Sequence, residues 1–179
     1  MKSDRNLKHT VWGVYDLYRN VKFNSEYYSL KLHRVELLNT ILESIILITA
    51  PSSSVTGLWF WSNPIGSEIW KILGAVAAFS IIFKQAFQLS KKLKEYSNIL
   101  VQYRTLDQDL FVLCELIKSK EKYTTKMKAD YERALKKKAA IESNSPENKP
   151  SKKLKVKCQA EVNKKLPPQS FWVPLNEEN

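Results

Sequence analysis

The sequence predicts an all-α membrane protein: a two-helix transmembrane hairpin preceded by an N-terminal amphipathic helix, followed by a long cytoplasmic helix, and assembled as an oligomer. Three observations predict it. The long apolar runs all fall between Leu37 and Leu89. On either side, apolar and aromatic residues recur at steps of three and four, the helical period. The charge is partitioned as well: of a whole-chain net of +11, nearly all belongs to Lys118–Lys165, where sixteen Lys or Arg face six Asp or Glu.

Residues 1–34 form the first segment. In "TVWGVYDLYRNVKFNSEYYSLKLHRVELL", Trp12, Tyr15 and Tyr18 share a helical face and Tyr27 and Tyr28 follow. Such a helix either lies on the inner leaflet with its aromatics in the interface or packs those aromatics on the helix after the membrane. Both options stand at the level of sequence.

The hairpin is assigned to residues 35–90. A bilayer core of roughly 30 Å takes about 20 helical residues, and the run 69–89, "IWKILGAVAAFSIIFKQAFQL", has that length, with Lys71 and Lys84 near its ends. The first run covers either 35–50, ending before Pro51, or 37–61, kinked there. Trp59, Phe60, Trp61 and Trp70 cluster at one end of both runs, as interfacial aromatics do. The connection "SNPIGSE" has no Lys or Arg, whereas seven precede Val35 and Lys91, Lys92 and Lys94 follow the second run. That asymmetry predicts both termini facing the cytoplasm, with the turn outside.

The first run contains an acid. If the first span runs straight past Pro51, Asn39, Glu43, Ala50 and Ser54 lie along one stripe, the expected lining of a pore, since a ring of carboxylates attracts cations. Gly74 and Ala78 on the second run form a small-residue face for close helix packing. The competing reading pairs Glu43 with Lys84 or Gln85, which match it in depth, because a lone carboxylate in hydrocarbon is costly.

Residues 91–141 are expected as one cytoplasmic helix. Leu93, Tyr96, Leu100, Tyr103, Leu106, Leu110, Leu113 and Ile117 make an a/d seam with one shortened step at Leu106. Either a second copy or the N-terminal helix of the same chain fills it.

Residues 142–179 read as a basic, Pro-containing flexible tail. Lys136, Lys137 and Lys138, with Lys152, Lys153, Lys155 and Lys157, are candidate contacts for an anionic ligand. Phe171 and Trp172 within "LPPQSFWVPL" form a candidate docking motif for a partner or for the protein's own body. Basic strip and aromatics together also suit single-stranded nucleic acid.

No catalytic arrangement is visible. His9 and His33 are isolated, four glycines leave no phosphate loop, and Cys114 and Cys158 have neither metal nor disulfide spacing. The expectation is no enzyme and no cofactor.

The layout of "VWGVYDLYRN", "YYSLKLHR" and "FKQAFQLSKKLKEYSNILVQYRTLDQDL" around a tight outer turn resembles the SLATT two-transmembrane proteins over about residues 9–115. The resemblance implies a bacterial anti-phage effector. It would be an inner-membrane pore opened by a nucleotide or oligonucleotide signal from a nucleotide-synthesising enzyme encoded nearby, causing depolarisation and growth arrest. The alternative is a non-conducting anchor that recruits a soluble partner through its cytoplasmic helix and tail. A peripheral lipid-binding protein is a third reading.

Overall fold

The structure, a computed structural model, describes residues 9–49, 64–147 and 150–174. All regular structure among them is helical. The helices are α1 (Val11–Thr49), α2 (Pro64–Ala86), α3 (Leu89–Lys120), α4 (Thr125–Ser143) and α5 (Lys152–Lys165), followed by a 3-10 turn at Pro168–Ser170. The chain divides into two compact units, one of residues through Leu30 with Tyr96 onward, the other Lys31–Glu95.

The first unit holds the core. On α1, Val11, Val14, Tyr15, Tyr18 and Val21 repeat at the helical period and are buried. On α3, Leu100, Tyr103, Leu106, Leu110, Leu113 and Ile117 are buried as well, so within this unit the heptad seam is filled by the chain's own residues. Tyr28 of α1 stacks on Tyr103 at 5.6 Å, and Lys22 reaches the Asp107 carboxylate at 2.8 Å. Tyr28 of the N-terminal segment thus packs on α3, the second of the two options that the sequence left open, while Tyr15 and Tyr27 meet segments further along the chain.

One expected helix over 91–141 is two helices here. Glu121 adopts a left-handed backbone, φ 47°, which ends α3 because L-residues cannot continue a right-handed helix through that region. The next helix starts four residues on, at Thr125. Thr124 caps it: its hydroxyl accepts the Met127 N–H at 3.4 Å, and its own N–H donates to the Met127 sulfur at 3.5 Å. Met127, Ala134 and Ile141 then form the buried face of α4. Tyr131 of α4 approaches α1 closely at Gly13: a Cβ there would stand 2.8 Å from the Tyr131 hydroxyl.

The segment 142–179, expected as a flexible tail, carries α5. Leu154, Cys158 and Val162, each four residues apart, are buried, contributing roughly 1.5–3 kcal/mol apiece for the larger side chains. Lysines cover the other face. Arg19 donates to the Asn163 side chain at 2.6 Å and Lys165 pairs with Glu26 at 2.7 Å, tying α5 to α1. Tyr27 fixes the approach to α5: its hydroxyl donates to Glu147 at 2.7 Å and accepts the Ser151 N–H at 2.9 Å.

The second unit has the opposite character. Among the described residues, thirteen large apolar side chains between Leu37 and Phe87 are exposed by 37–75 %, while Leu42 and Leu89 are buried. The polar Thr49 and Ser80 are buried there, each bonding back to its own helix. At Gln88 the backbone is again left-handed, φ 48°, and its N–H closes a tight turn onto the Gln85 carbonyl at 3.0 Å. This turn separates α2 from α3.

Among the described residues no single helix is long and apolar enough to cross a membrane. Lys71–Ala86 and Leu89–Lys120, bent by 44° at that turn, meet the criterion as a pair, by length and composition only. The expected spans 35–50 and 69–89 are thus not matched helix by helix. In α1 the apolar stretch is diluted by Asn39 and Glu43, and α2 carries Glu68, Lys71 and Lys84.

Candidate functional site

The acid at position 43 has a partner within its own unit. Lys84 of α2 donates to Glu43 Oε1 at 2.5 Å. One helical turn earlier on α1, Asn39 is half-buried and its side-chain oxygen has no hydrogen-bond partner. Lys84 and Gln85 also line an open cavity of about 420 Å³ with Ile46, Ile81, Gln88 and Leu89. Of the residues expected to meet there, Glu43, Lys84 and Gln85 are brought to one place. Ser54 lies outside the described residues, as do Ala50, Pro51, Trp59, Phe60 and Trp61.

Chemically, the pair cancels two charges that would otherwise oppose burial in an apolar medium. Both side chains are accessible at the surface of the single chain, Glu43 more so than Lys84. The small-residue face is not consumed within the unit. Gly74 and Ala78 are exposed, and nothing lies within 4 Å of a Cβ built on Gly74. It is Ser80, two residues past Ala78, that is buried.

The candidate basic residues divide. Lys137 pairs with Asp109 at 2.7 Å and Lys138 with Glu142 at 2.8 Å, so both are engaged within the fold. Lys136, Lys152, Lys153 and Lys157 stand exposed, the last three on the outer face of α5. Lys155 borders a cavity of about 300 Å³ walled by Asn20, Tyr27, Tyr28, Tyr103 and Glu147.

The docking motif sits on the protein's own body. Phe171 is buried and stacks on Tyr15 with ring centroids 4.3 Å apart. The Tyr15 hydroxyl donates to the Trp172 carbonyl at 2.7 Å, and Val173 is buried beyond it. Burial pushes the nearby Tyr18 phenol up to about 12, with the Asp107 charge adding to the shift. Burial likewise takes the Cys114 thiol to about 12, which makes it a poor nucleophile. The Tyr27 phenol is raised further, by burial first and by its bond to Glu147 second.

Two features escape a reading of the sequence. The Lys22–Asp107 pair joins residues 85 positions apart, and the only hint is an acid placed directly after the seam residue Leu106. The receptor for Phe171 is Tyr15, 156 positions away, and no local pattern announces it. Among the described residues no group of three or more His, Cys, Asp and Glu is placed to hold a metal ion. No protein-family model, curated protein or solved structure matches this chain.

Proposed function

We propose that this protein is an integral membrane effector: the unit 31–95 sits in a bilayer as a helical hairpin, several copies assemble through it, and a phosphate-bearing ligand bound by the cytoplasmic body opens a conducting path. The observation that carries the proposal is the contrast between the two units. One buries its apolar side chains in an ordinary core, whereas the other turns thirteen outward. Exposed apolar surface on that scale calls for an apolar covering, and lipid is the covering that suits two neighbouring helices with an internally neutralised ion pair. The exposed Gly74–Ala78 face supplies a contact for a second copy. The resemblance to SLATT proteins, the Lys and Arg counts on either side of the hairpin, and the basic body support the same reading, with both termini on the cytoplasmic side of an inner membrane.

On this proposal Glu43–Lys84 is a resting-state pair. Opening exchanges Lys84 for water and cations at the carboxylate. A ligand drives the exchange only by binding the open assembly more tightly than the closed one. Depolarisation and growth arrest follow.

A second reading, a non-conducting anchor that recruits a partner, draws on two observations: Glu43 is already satisfied within its chain, and the seam is filled by it. Reconstitution separates the two. Protein that resists alkaline carbonate extraction and passes ions across liposomes, with selectivity altered by Glu43→Gln, supports the pore. Protein that stays in the membrane, passes no ions with or without phosphate compounds, and is indifferent to Glu43→Gln supports the anchor. Extraction by carbonate removes both.

A further inference from the structure

A polar cavity of about 320 Å³ lies in the first unit between α1 and α3. Lys22, Ser25 and Ser29 line it from α1, and Arg104, Asp107 and Gln108 from α3. The spacing follows from the helical period: Ser25 and Ser29 are one turn apart on one face, as are Arg104 and Gln108 on the other.

Apart from Lys22, the side-chain donors in this cavity are uncommitted. A serine inside a helix ordinarily turns its hydroxyl onto the carbonyl four residues back. Ser44 and Ser80 do so here, each at 2.8 Å. Ser25 is buried, yet it makes no such bond, and neither does Ser29; Arg104 and Gln108 also make no side-chain bond among the described residues. Lys22 is engaged on Asp107 Oδ2 at 2.8 Å. Glu26, the remaining wall residue, is engaged by Lys165 at 2.7 Å. Two cations of the wall and the adjoining Lys165 thus stand against two carboxylates, with two hydroxyls and an amide to spare.

The wall's own acceptor decides which anion can enter. Asp107 is 6 % exposed; its Oδ1 has no accessible surface, which leaves Oδ2, the oxygen that takes Lys22, to meet a ligand. Beside a carboxylate an anion is repelled unless it brings a proton of its own.

From this donor and acceptor set we infer that the cavity binds a protonated phosphate group, hydrogen phosphate itself or the terminal phosphate of a larger ligand. Arg104, Lys22 and the two serine hydroxyls hold its oxygens, while its P–O–H donates to Asp107 Oδ2. The volume exceeds what one phosphate ion fills and falls at the small end of ligand pockets, leaving room for the group that bears the phosphate. Sulfate has the same shape but no proton at neutral pH, and an internal phosphodiester has none either, so both are refused. The site would serve the ligand-gated opening proposed above and rests on that reading for its role, though not for binding.

The test uses the full chain in detergent at constant ionic strength, titrated calorimetrically with inorganic phosphate and with sulfate. Phosphate is expected to bind at least about tenfold more tightly than sulfate, the weight of one charge-assisted hydrogen bond. Arg104→Gln, at an exposed position, is expected to weaken phosphate by about tenfold or more without changing the unfolding temperature. Asp107→Asn, whose amide can donate to either anion, is expected to bring the two affinities within about threefold of each other. Binding of AMP identifies a soluble phosphate as the source and binding of short-chain phosphatidic acid dispersed in the same detergent a lipid headgroup; either sustains the site. Equal affinity for phosphate and sulfate in the unmodified chain, no binding of phosphate, or an Arg104→Gln chain that binds as before would overturn the inference. A chain that binds phosphate but passes no ions would instead overturn the pore and leave the site standing.

Discussion

Truncating Phe171 to alanine tests how the C-terminal segment is held. The ring is 93 % buried, by its 7 % exposure, and lies stacked on Tyr15. A buried aromatic side chain removes roughly 150–250 Å² from water, which at about 25 cal/mol per Å² comes to about 4–6 kcal/mol. Allowing for the part that alanine retains, the expected loss is about 3–5 kcal/mol, the range for Phe→Ala in cores. Val173 and the Tyr15–Trp172 hydrogen bond also anchor 166–174, the latter worth about 1 kcal/mol net. Loss of the ring is comparable with those two together, so the segment should release while the helices stay folded. Hydrogen exchange with mass spectrometry reads this directly. Amides of Ser170 and Phe171, which now donate to the carbonyls of Pro167 and Pro168, should exchange about a hundredfold faster, the equivalent of about 3 kcal/mol. Peptides from α3 should be unchanged. Unaltered exchange over 170–174, or acceleration spread evenly over the body, would refute the reasoning.

Three further outcomes are expected. Gly13→Ala should destabilise the body by about 1–2 kcal/mol through overpacking against Tyr131, measured by urea unfolding, and adding Tyr131→Phe should restore part of the loss because the nearest atom is the hydroxyl. Tyr27→Phe should cost about 1–3 kcal/mol, because the Ser151 N–H at the start of α5 loses its acceptor and Glu147 its donor; the unfolding midpoint reads it. On the alkaline side, Tyr18 is raised from 10.0 to about 12 in the folded chain. Since its folded value lies above its unfolded one, its contribution to stability is complete below pH 10 and is lost as pH rises toward about 12. Spectroscopic titration should show some tyrosines ionising only together with unfolding, and Tyr18→Phe should make the alkaline loss shallower.

Much of the helical pattern can be read from the sequence because it rests on strong periodicity. Val11, Val14, Tyr15, Tyr18 and Val21 announce the buried face of α1, and the seam from Leu100 to Ile117 announces that of α3. What periodicity cannot say is which surface fills a seam. The same a/d pattern serves a second copy or a neighbouring helix, and only the Tyr28–Tyr103 and Lys22–Asp107 contacts decide it for this unit. The pairing of Glu43 with Lys84 was legible as one of two options, since depth matching along two adjacent runs places them together. Helix α5 was hidden for a different reason: three buried apolar positions in fourteen residues, surrounded by lysines, resemble a solvated strip until Arg19, Glu26 and Tyr27 supply the surface they cover. The break at Glu121 gave no warning because no Gly or Pro marks it. The polar cavity depends on hydroxyls that decline their usual local bonds, and a sequence cannot display that.

The body is assembled from chain that is not contiguous: residues through Leu30 join those from Tyr96 onward, with the apolar unit encoded between them. On a ribosome, α1 emerges long before the segments that cover Val14 and Tyr18, so its early face must wait uncovered while the intervening stretch is delivered to whatever medium receives it. Closure of the core over so long an interval is slow compared with local pairing. Synthesis thereby imposes an order of events, in which placement of residues 31–95 precedes completion of the domain that straddles them.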